Sequence, residues 1–283
     1  MASCKTEHEP IGRLSMEFSA ATDKGRVREN NEDNFGVAED LNLFVLSDGM
    51  GGYASGEVAS KIAVETIVSH CREAEKDPTL TYYGGLHLGA SETGRRLASA
   101  ISLANQAIRK EAEKDTARRG MGATVVALQF HDNRVFFAHV GDSRAYRLRN
   151  GSLEQLTHDH SFVADQVRRG KMTQAEADNS KLQNVLMRAL GPEQDVVVDV
   201  SEQQTVEGDS FLLCSDGLSK ELSDAQISAV LEESGDAREC ARRLIQMANE
   251  AGGEDNITVV VVRYAPSLVG ALVARLGRWF KDS

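Results

Sequence analysis

The stretch Leu43 to Gly52, LFVLSDGMGG, is a short apolar run that ends in an acidic residue and three glycines. Consecutive apolar residues bounded by turn residues are typical of a β-strand that is covered on both faces. The strand is predicted to place Asp48 at its end. Gly49, Gly51 and Gly52 then allow the backbone to turn closely around whatever Asp48 holds.

Three further aspartates stand where a predicted strand starts or stops. Asp216 ends the run FLLCSDG at 211–217, Asp255 precedes the β-prone run at 257–264, and Asp33 precedes the strand predicted over 34–38. Several carboxylates in one cleft repel one another unless cations neutralise them, and oxygen ligands without paired Cys or His favour Mg²⁺ or Mn²⁺. Spacing alone leaves open that these are unrelated turn residues.

Composition excludes several classes of function. The chain has 283 residues, 41% of them hydrophobic, and a formal net charge of -11, which argues against nucleic acid and anionic lipid as partners. Its four cysteines form no Cys-x-x-Cys pair, and no apolar run reaches the roughly 18 residues of a membrane span. We therefore expect a cytoplasmic protein.

The pattern along the chain predicts three parts. Residues 1–15 read as a flexible leader, and 16–264 as one domain in which two strand-rich blocks, each followed by helices, form stacked antiparallel sheets with helices outside. Within it, 43–47 and 196–200 read as strands, and 158–191 reads as a mobile excursion. Residues 265–283 predict an amphipathic helix, which we expect to pack on the domain or a partner rather than on a membrane.

Six short motifs occur in a fixed order along the chain. They are Arg28-x-x-Asn31-Glu32-Asp33, Asp48-Gly49-Met50-Gly51-Gly52, Met121-Gly122-Ala123-Thr124, Gly141-Asp142-Ser143-Arg144, Ser215-Asp216-Gly217 and Asp255-Asn256-Ile257-Thr258. Together they resemble the metal-dependent protein phosphatases of type 2C (the PPM family) in their bacterial form. The resemblance implies an α+β fold, a four-layer α-β-β-α sandwich with two central antiparallel sheets.

The resemblance also implies a centre of two Mn²⁺ or Mg²⁺ ions with a weaker third. In it, Asp48 bridges both ions, the Gly49 carbonyl binds one, and Asp216 and Asp255 bind the other. Glu32 and Asp33 act through metal-bound waters, and Asp142 helps Asp216 to hold the third ion. Arg28 matches the phosphate-binding arginine, whose planar fork can grip two phosphate oxygens.

The implied reaction is hydrolysis of phosphoserine and phosphothreonine in proteins by a metal-activated bridging hydroxide, in opposition to a bacterial-type serine/threonine kinase. An inactive signalling module on the same fold, a small-molecule phosphatase and a nucleic-acid hydrolase are the alternatives. Met50 replaces a histidine that eukaryotic members often use to protonate the leaving group. Among the histidines, His139 is expected to be a satisfied core residue, and His158 and His160 to be solvated or capping rather than metal ligands.

Overall fold

The computed structural model describes residues 15–51, 55–77, 79–85 and 90–265. The predicted leader and the predicted C-terminal helix therefore lie outside the described residues, apart from Ser15 and Ala265, which end strands. Those two predictions stay untested.

In the described residues, eleven strands form two antiparallel sheets. In chain order they are β1 (Ser15–Asp23), β2 (Asp33–Ala38), β3 (Leu43–Met50), β4 (Gly122–Ala123), β5 (Val125–His131), β6 (Arg134–Val140), β7 (Arg144–Arg149), β8 (Ser152–Gln155), β9 (Asp199–Gln204), β10 (Ser210–Cys214) and β11 (Ile257–Ala265). The first sheet has the order β1-β11-β10-β7-β8. The second has the order β2-β3-β5-β6-β9, and the short β4 pairs with β3. β1 and β11, the first and last of these strands, are thus neighbours.

Seven α-helices of the described part of the chain accompany the sheets. They are α1 (Ser55–Lys76), α2 (Glu92–Ala112), α3 (Phe162–Arg168), α4 (Gln174–Asp178), α5 (Asp216–Ser219), α6 (Asp224–Glu233) and α7 (Ala237–Ala251). None of the helices within the described ranges combines the length and the apolar character needed to cross a bilayer.

Three apolar cores separate four layers of structure. Alternate residues of β3 face opposite ways: Leu43 and Val45 pack with α1 and α2, whereas Phe44 and Leu46 pack with Phe211 and other residues of the first sheet. A third core joins the outer face of the first sheet to α6 and α7. The order helix, sheet, sheet, helix confirms the predicted α-β-β-α sandwich.

Two local predictions differ from the structure. β3 does not stop before Asp48 but continues to Met50, because Gly49 and Met50 pair with β4. The strand predicted at 196–200 begins only at Asp199, since Val196 and Val198 instead pack against the core beneath α1 and α2.

Candidate metal centre

Asp33 and Asp48 are brought together by strand register. Asp33 opens β2, Asp48 lies near the end of β3, and the two residues are direct partners in the antiparallel ladder. Directly opposed residues have Cβ atoms roughly 4.5–5.5 Å apart. Two carboxylates therefore share one end of the second sheet.

Asp216 and Asp255 occupy the same end of the first sheet. Asp216 opens α5 immediately after β10, and Asp255 lies two residues before β11, which pairs with β10. Ser215 connects the two sheets because its hydroxyl donates to Asp33 Oδ2 at 2.8 Å, while it also accepts the Thr258 N–H at 3.0 Å.

Asp142 follows β6 and is buried. The preceding Gly141 has a φ of +108°, and a Cβ there would lie 2.6 Å from Thr124 atoms, so the turn requires glycine. Thr124 in turn shares a hydrogen bond of 2.7 Å with Ser143 and accepts the Asp48 N–H at 3.2 Å. These contacts give the Met121 to Thr124 motif its role in the site: it fixes the backbone beside Asp48.

Burial and neighbouring carboxylates raise the pKa of three aspartates of the centre. Burial, followed by the charges of Asp33 and Asp216, raises the pKa of Asp48 well above its usual value. Burial and nearby carboxylates raise the pKa of Asp33 to about 7, although Thr258 and Ser215 act in the opposite direction. Burial and the charges of Asp216 and Asp159 raise the pKa of Asp142 to about 7. The chain alone does not neutralise this end of the sandwich.

Arg28 and Glu32 border the centre on the loop between β1 and β2. Arg28 Nη2 donates to Asp255 Oδ2 at 2.7 Å, and its side chain is 55% exposed, so it can reach a ligand in solvent. Burial raises the pKa of Glu32, with Asp255 and Glu57 acting in the same direction against Arg28. Asn256 holds this loop in place.

The Asn256 side chain makes three hydrogen bonds to the backbone of that loop. Its Oδ1 accepts the Glu32 N–H at 2.7 Å, and its Nδ2 donates to the carbonyls of Lys24 at 3.0 Å and Asn30 at 2.8 Å. The loop that carries Arg28 is thereby tied to the start of β11.

Gly49 is the place where α1 approaches the centre most closely. A Cβ at Gly49 would lie 2.1 Å from the Gly56 carbonyl oxygen, and a Cβ at Gly56 would lie 2.4 Å from Glu32 Oε2. Any larger residue at either position would push α1 or Glu32 away from Asp48. The two glycines are therefore required by space.

The donor set fits hard divalent cations. Every predicted ligand is an oxygen, which suits Mg²⁺ or Mn²⁺. Among the described residues, Asp33 Oδ1 and Asp216 Oδ1 are buried and have no hydrogen-bond partner. Buried carboxylate oxygens rarely lack a partner in native proteins, and a bound cation would satisfy both. All eight predicted site residues (Arg28, Glu32, Asp33, Asp48, Gly49, Asp142, Asp216 and Asp255) meet at this end, and their individual roles stay predictions.

A second group of potential ligands lies at the base of the segment 158–191. In the described part of the chain, His139, His160 and Asp199 have potential ligand atoms that all lie within 4.8 Å of one another. His139 Nε2 donates to the His158 carbonyl at 2.9 Å, as expected for a satisfied core histidine. The expectation for His158 agrees with its exposure, but the one for His160 is wrong, because His160 is buried.

The hydrogen bonds of His160 assign its tautomer and leave no free nitrogen. Its Nδ1 accepts the Gly141 N–H at 3.2 Å, so Nε2 carries the proton and donates to Asp199 Oδ2 at 3.2 Å. Arg188 donates to the other Asp199 oxygen at 2.8 Å. The His139 and His160 rings are stacked, 4.6 Å apart and 21° from parallel, and two stacked rings cannot both direct a nitrogen lone pair at one ion. This group is a hydrogen-bonded cluster.

Three residues that the sequence reasoning left without a role support the centre. Ser215 and Asn256 belong to the six motifs, and each stands next to a predicted ligand, which is the sequence signal that could have identified them. Lys220 gave no such signal: it lies outside every motif, and its contact with Asp216 depends on the helical turn between them.

Comparison with known families and proteins agrees with the geometry. The family described as Protein phosphatase 2C matches residues 23–259. The serine/threonine phosphatase stp of Listeria innocua is 39% identical over 250 residues, which cover 87% of this chain and 95% of that protein. The serine/threonine protein phosphatase PstP of Mycobacterium tuberculosis is 38% identical over 253 residues, 88% of this chain and 45% of that protein.

Solved structures show the same similarity. The catalytic domain of PstP in complex with two manganese ions superposes with a TM-score of 0.76 at 36% identity, covering 89% of this chain and 100% of that one. The Streptococcus agalactiae serine/threonine phosphatase gives a TM-score of 0.78 at 34% identity, covering 88% and 99%. These matches confirm the resemblance to the type 2C phosphatases and the prediction of a metal-dependent protein phosphatase. The chain belongs to the Protein phosphatase 2C family.

Proposed function

We propose that this enzyme removes phosphate from phosphoserine and phosphothreonine side chains of proteins at a centre that holds two Mn²⁺ or Mg²⁺ ions. The observation that carries the proposal is the meeting of four strand-end carboxylates, Asp33, Asp48, Asp216 and Asp255, with the buried, unpartnered Oδ1 atoms of Asp33 and Asp216 among them. Two Mn²⁺ ions in the PstP structure support the number of ions.

Each ligand role in the proposal follows the motif matches. Asp48 would bind both ions, the Gly49 carbonyl one of them, and Asp216 and Asp255 the other; Glu32 and Asp33 would act through waters. The weaker third site at Asp142 is implied by the resemblance alone and is not part of this proposal. When bound, such ions supply charge neutralisation and lower the pKa of a water from about 15.7 toward about 7. The inactive-module alternative loses support because every matched carboxylate is present and placed at the centre.

Arg28 would bind the phosphate group of the substrate. Its guanidinium is fixed at the edge of the centre by Asp255 and by the loop that Asn256 holds, so little conformational entropy remains to be lost on binding. The Arg28 side chain is nevertheless partly exposed, and the guanidinium donors that do not contact Asp255 can bind two phosphate oxygens. The pKa of Arg28 is raised by its hydrogen bond to Asp255, so the group stays charged.

Protein substrates are favoured over small phosphoesters because the centre is open. The exposed fraction is 55% for the Arg28 side chain and 29% for Asp255, whereas small-molecule sites are concave and bury about 70–90% of the ligand surface. Phosphorylated residues carried on another protein can approach an open centre directly. The names of the relatives support the same substrate class.

The proposal also includes a cellular setting. A bacterial-type serine/threonine kinase would supply the phosphorylated proteins, because a phosphatase of this class needs a kinase that modifies the same side chains. We place both in the cytoplasm, where the buried thiols of Cys71, Cys214 and Cys240 would stay reduced.

Hydrolysis of a phosphothreonine peptide, measured with Mn²⁺ and with added chelator, tests the proposal. We expect turnover that requires Mn²⁺ and is lost with chelator, and two equivalents of Mn²⁺ bound in calorimetry. A protein that binds Mn²⁺ without turnover on any phosphopeptide would support the inactive module, and turnover confined to small phosphoesters would support that alternative instead.

A further inference from the structure

The ammonium group of Lys220 lies beside the centre. Lys220 follows α5 four residues after Asp216, and on a helical turn this spacing places both side chains on one face. Its Nζ donates to Asp216 Oδ2 and, at 2.8 Å, to Asn184 Oδ1. Two elements therefore hold the ammonium: the turn that carries Asp216 and the segment 158–191.

The contact engages only one of the two oxygens of Asp216. Oδ2 accepts from Lys220, whereas Oδ1 is buried and has no partner in the described structure. One oxygen is thus available for a metal ion, and the other already has a cation. A second ion on Asp216 would have to displace the ammonium from Oδ2.

Asp142 experiences the same ammonium. Burial and the charge of Asp216 raise the pKa of Asp142, and the charge of Lys220 acts in the opposite direction. Burial lowers the pKa of Lys220, but the charges of Asp216, Asp142 and Asp255 outweigh it and raise that pKa. Lys220 therefore contacts Asp216 directly and acts on Asp142 through its charge, and these are the two carboxylates to which the resemblance assigns a weaker third ion.

We propose that Lys220 serves as a built-in cation at the Asp142 and Asp216 pair, so that the centre of this chain is complete with two divalent ions and has no third site. The inference rests on the proposed function, because it concerns the same centre. The ammonium is part of the chain, so it needs no ion from solution and stays in place when free metal is scarce. It also ties the segment 158–191 to the centre through Asn184, which a freely exchanging ion would not do.

Counting bound Mn²⁺ tests this inference without reference to activity. Calorimetry, with free Mn²⁺ followed by electron paramagnetic resonance, is carried out on the wild type and on Lys220→Met, which keeps the length of the side chain but removes its charge. We expect two bound ions in the wild type and a third, weaker one in Lys220→Met, with at least about a tenfold gain in affinity at that site because a nearby like charge is gone. Adding Asp142→Asn to Lys220→Met should remove the third ion again.

Two further variants control the result. Lys61→Met removes another lysine that pairs with an acidic residue four positions along a helix, Glu65 on α1, and should leave two ions. Lys220→Arg retains the charge and should also leave two. Lys220→Gln, which removes the charge but keeps a donor for Asn184, should again bind the third ion and keeps the test decisive if Lys220→Met fails to fold. Three ions in the wild type, or only two in folded Lys220→Met, would overturn the role of Lys220. Absence of Mn²⁺ binding by the wild type would instead overturn the proposed centre, and the inference with it.

Discussion

The acidic centre and the cluster of His139, His160 and Asp199 both gather potential metal ligands, but they differ in what their polar atoms contact. In the cluster, the nitrogens of His160 and both oxygens of Asp199 have hydrogen-bond partners, and Arg188 supplies positive charge. In the centre, two buried carboxylate oxygens have no hydrogen-bond partner among the described residues, and the pKa values of Asp33, Asp48 and Asp142 are raised. This unsatisfied charge, rather than the closeness of ligand types, is the reason for which we propose the metal site at the centre.

We expect the largest difference in activity and Mn²⁺ affinity between two substitutions, one at a carboxylate of the centre and one at the carboxylate of the cluster. Asp216→Asn keeps the shape of the side chain but removes a metal charge, so we expect kcat to fall by more than about 100-fold, beyond the effect of losing an outer partner of a metal ligand. Mn²⁺ affinity should fall as well. Asp199→Asn is the matched control and should leave Mn²⁺ affinity unchanged in calorimetry. Equal losses in both variants would remove the distinction between the two regions.

Arg28→Lys tests the phosphate grip at the edge of the centre. Lysine retains the charge but not the planar fork, so we expect KM for a phosphothreonine peptide to rise more than kcat falls, for a total cost of about 1–3 kcal/mol in kcat/KM. Steady-state kinetics at saturating Mn²⁺ separates the two parameters. The exposed pair Arg72 and Asp40 offers a control: Arg72→Lys should change neither parameter. An unchanged KM in Arg28→Lys would place the phosphate elsewhere.

The histidine cluster is expected to make the stability of the fold depend on pH. Burial lowers the pKa of His139 to about 4, whereas the unfolded chain takes up this proton near pH 6.5. Between these values only the unfolded state is protonated at this position, so the free energy of unfolding contributed by His139 falls as pH is lowered from about 6.5 to about 4. The pKa difference of about 2.5 corresponds to a total change on the order of 3 kcal/mol.

Because the pKa values of Asp33 and Asp142 are raised to about 7, these carboxylates also make the stability of the metal-free protein depend on pH, and the effect of His139 is measured as a difference between two proteins. Urea unfolding of metal-free wild type and of His139→Gln, whose side-chain amide can donate to the His158 carbonyl in the same way, is compared at several pH values. The loss of stability toward pH 4 should be smaller in the variant. Parallel pH profiles would show that His139 is protonated equally in both states.

Asp199→Asn should have the smallest effect, on stability alone. The hydrogen bonds to His160 and Arg188 lower the pKa of Asp199, so the folded state favours its charged form. Since Asp199 is 41% exposed, solvent screens these contacts, and we expect a loss of about 1 kcal/mol in the free energy of unfolding at neutral pH. Denaturant titration measures it. An increase in proteolysis within 158–191 should accompany the loss, because Arg188 anchors that segment.

The sequence predicts the four layers and the end of the sandwich where the site lies, because apolar periodicity and strand-end aspartates are local patterns. It does not predict the partners of His160, because Arg188 and Asp199 are distant from His160 along the chain and approach it only in the folded structure. Nor does it predict how far β3 extends, since the pairing of Gly49 and Met50 with β4 involves residues 122–123. Lys220 was missed for a related reason: a lysine among polar residues is ordinary until its neighbour is known to be a ligand.

The pairing of β1 with β11, and the hold of Asn256 on the loop that carries Arg28, have a consequence for synthesis of the protein. A ribosome releases Arg28 long before Asp255, and contacts separated by more than 200 positions form late during folding. Until β11 leaves the exit tunnel, β1 lacks its antiparallel partner and Arg28 has no fixed place. A nascent chain that has not yet released β11 lacks Asp255 at the centre, and we expect it to be unable to remove phosphate from a protein.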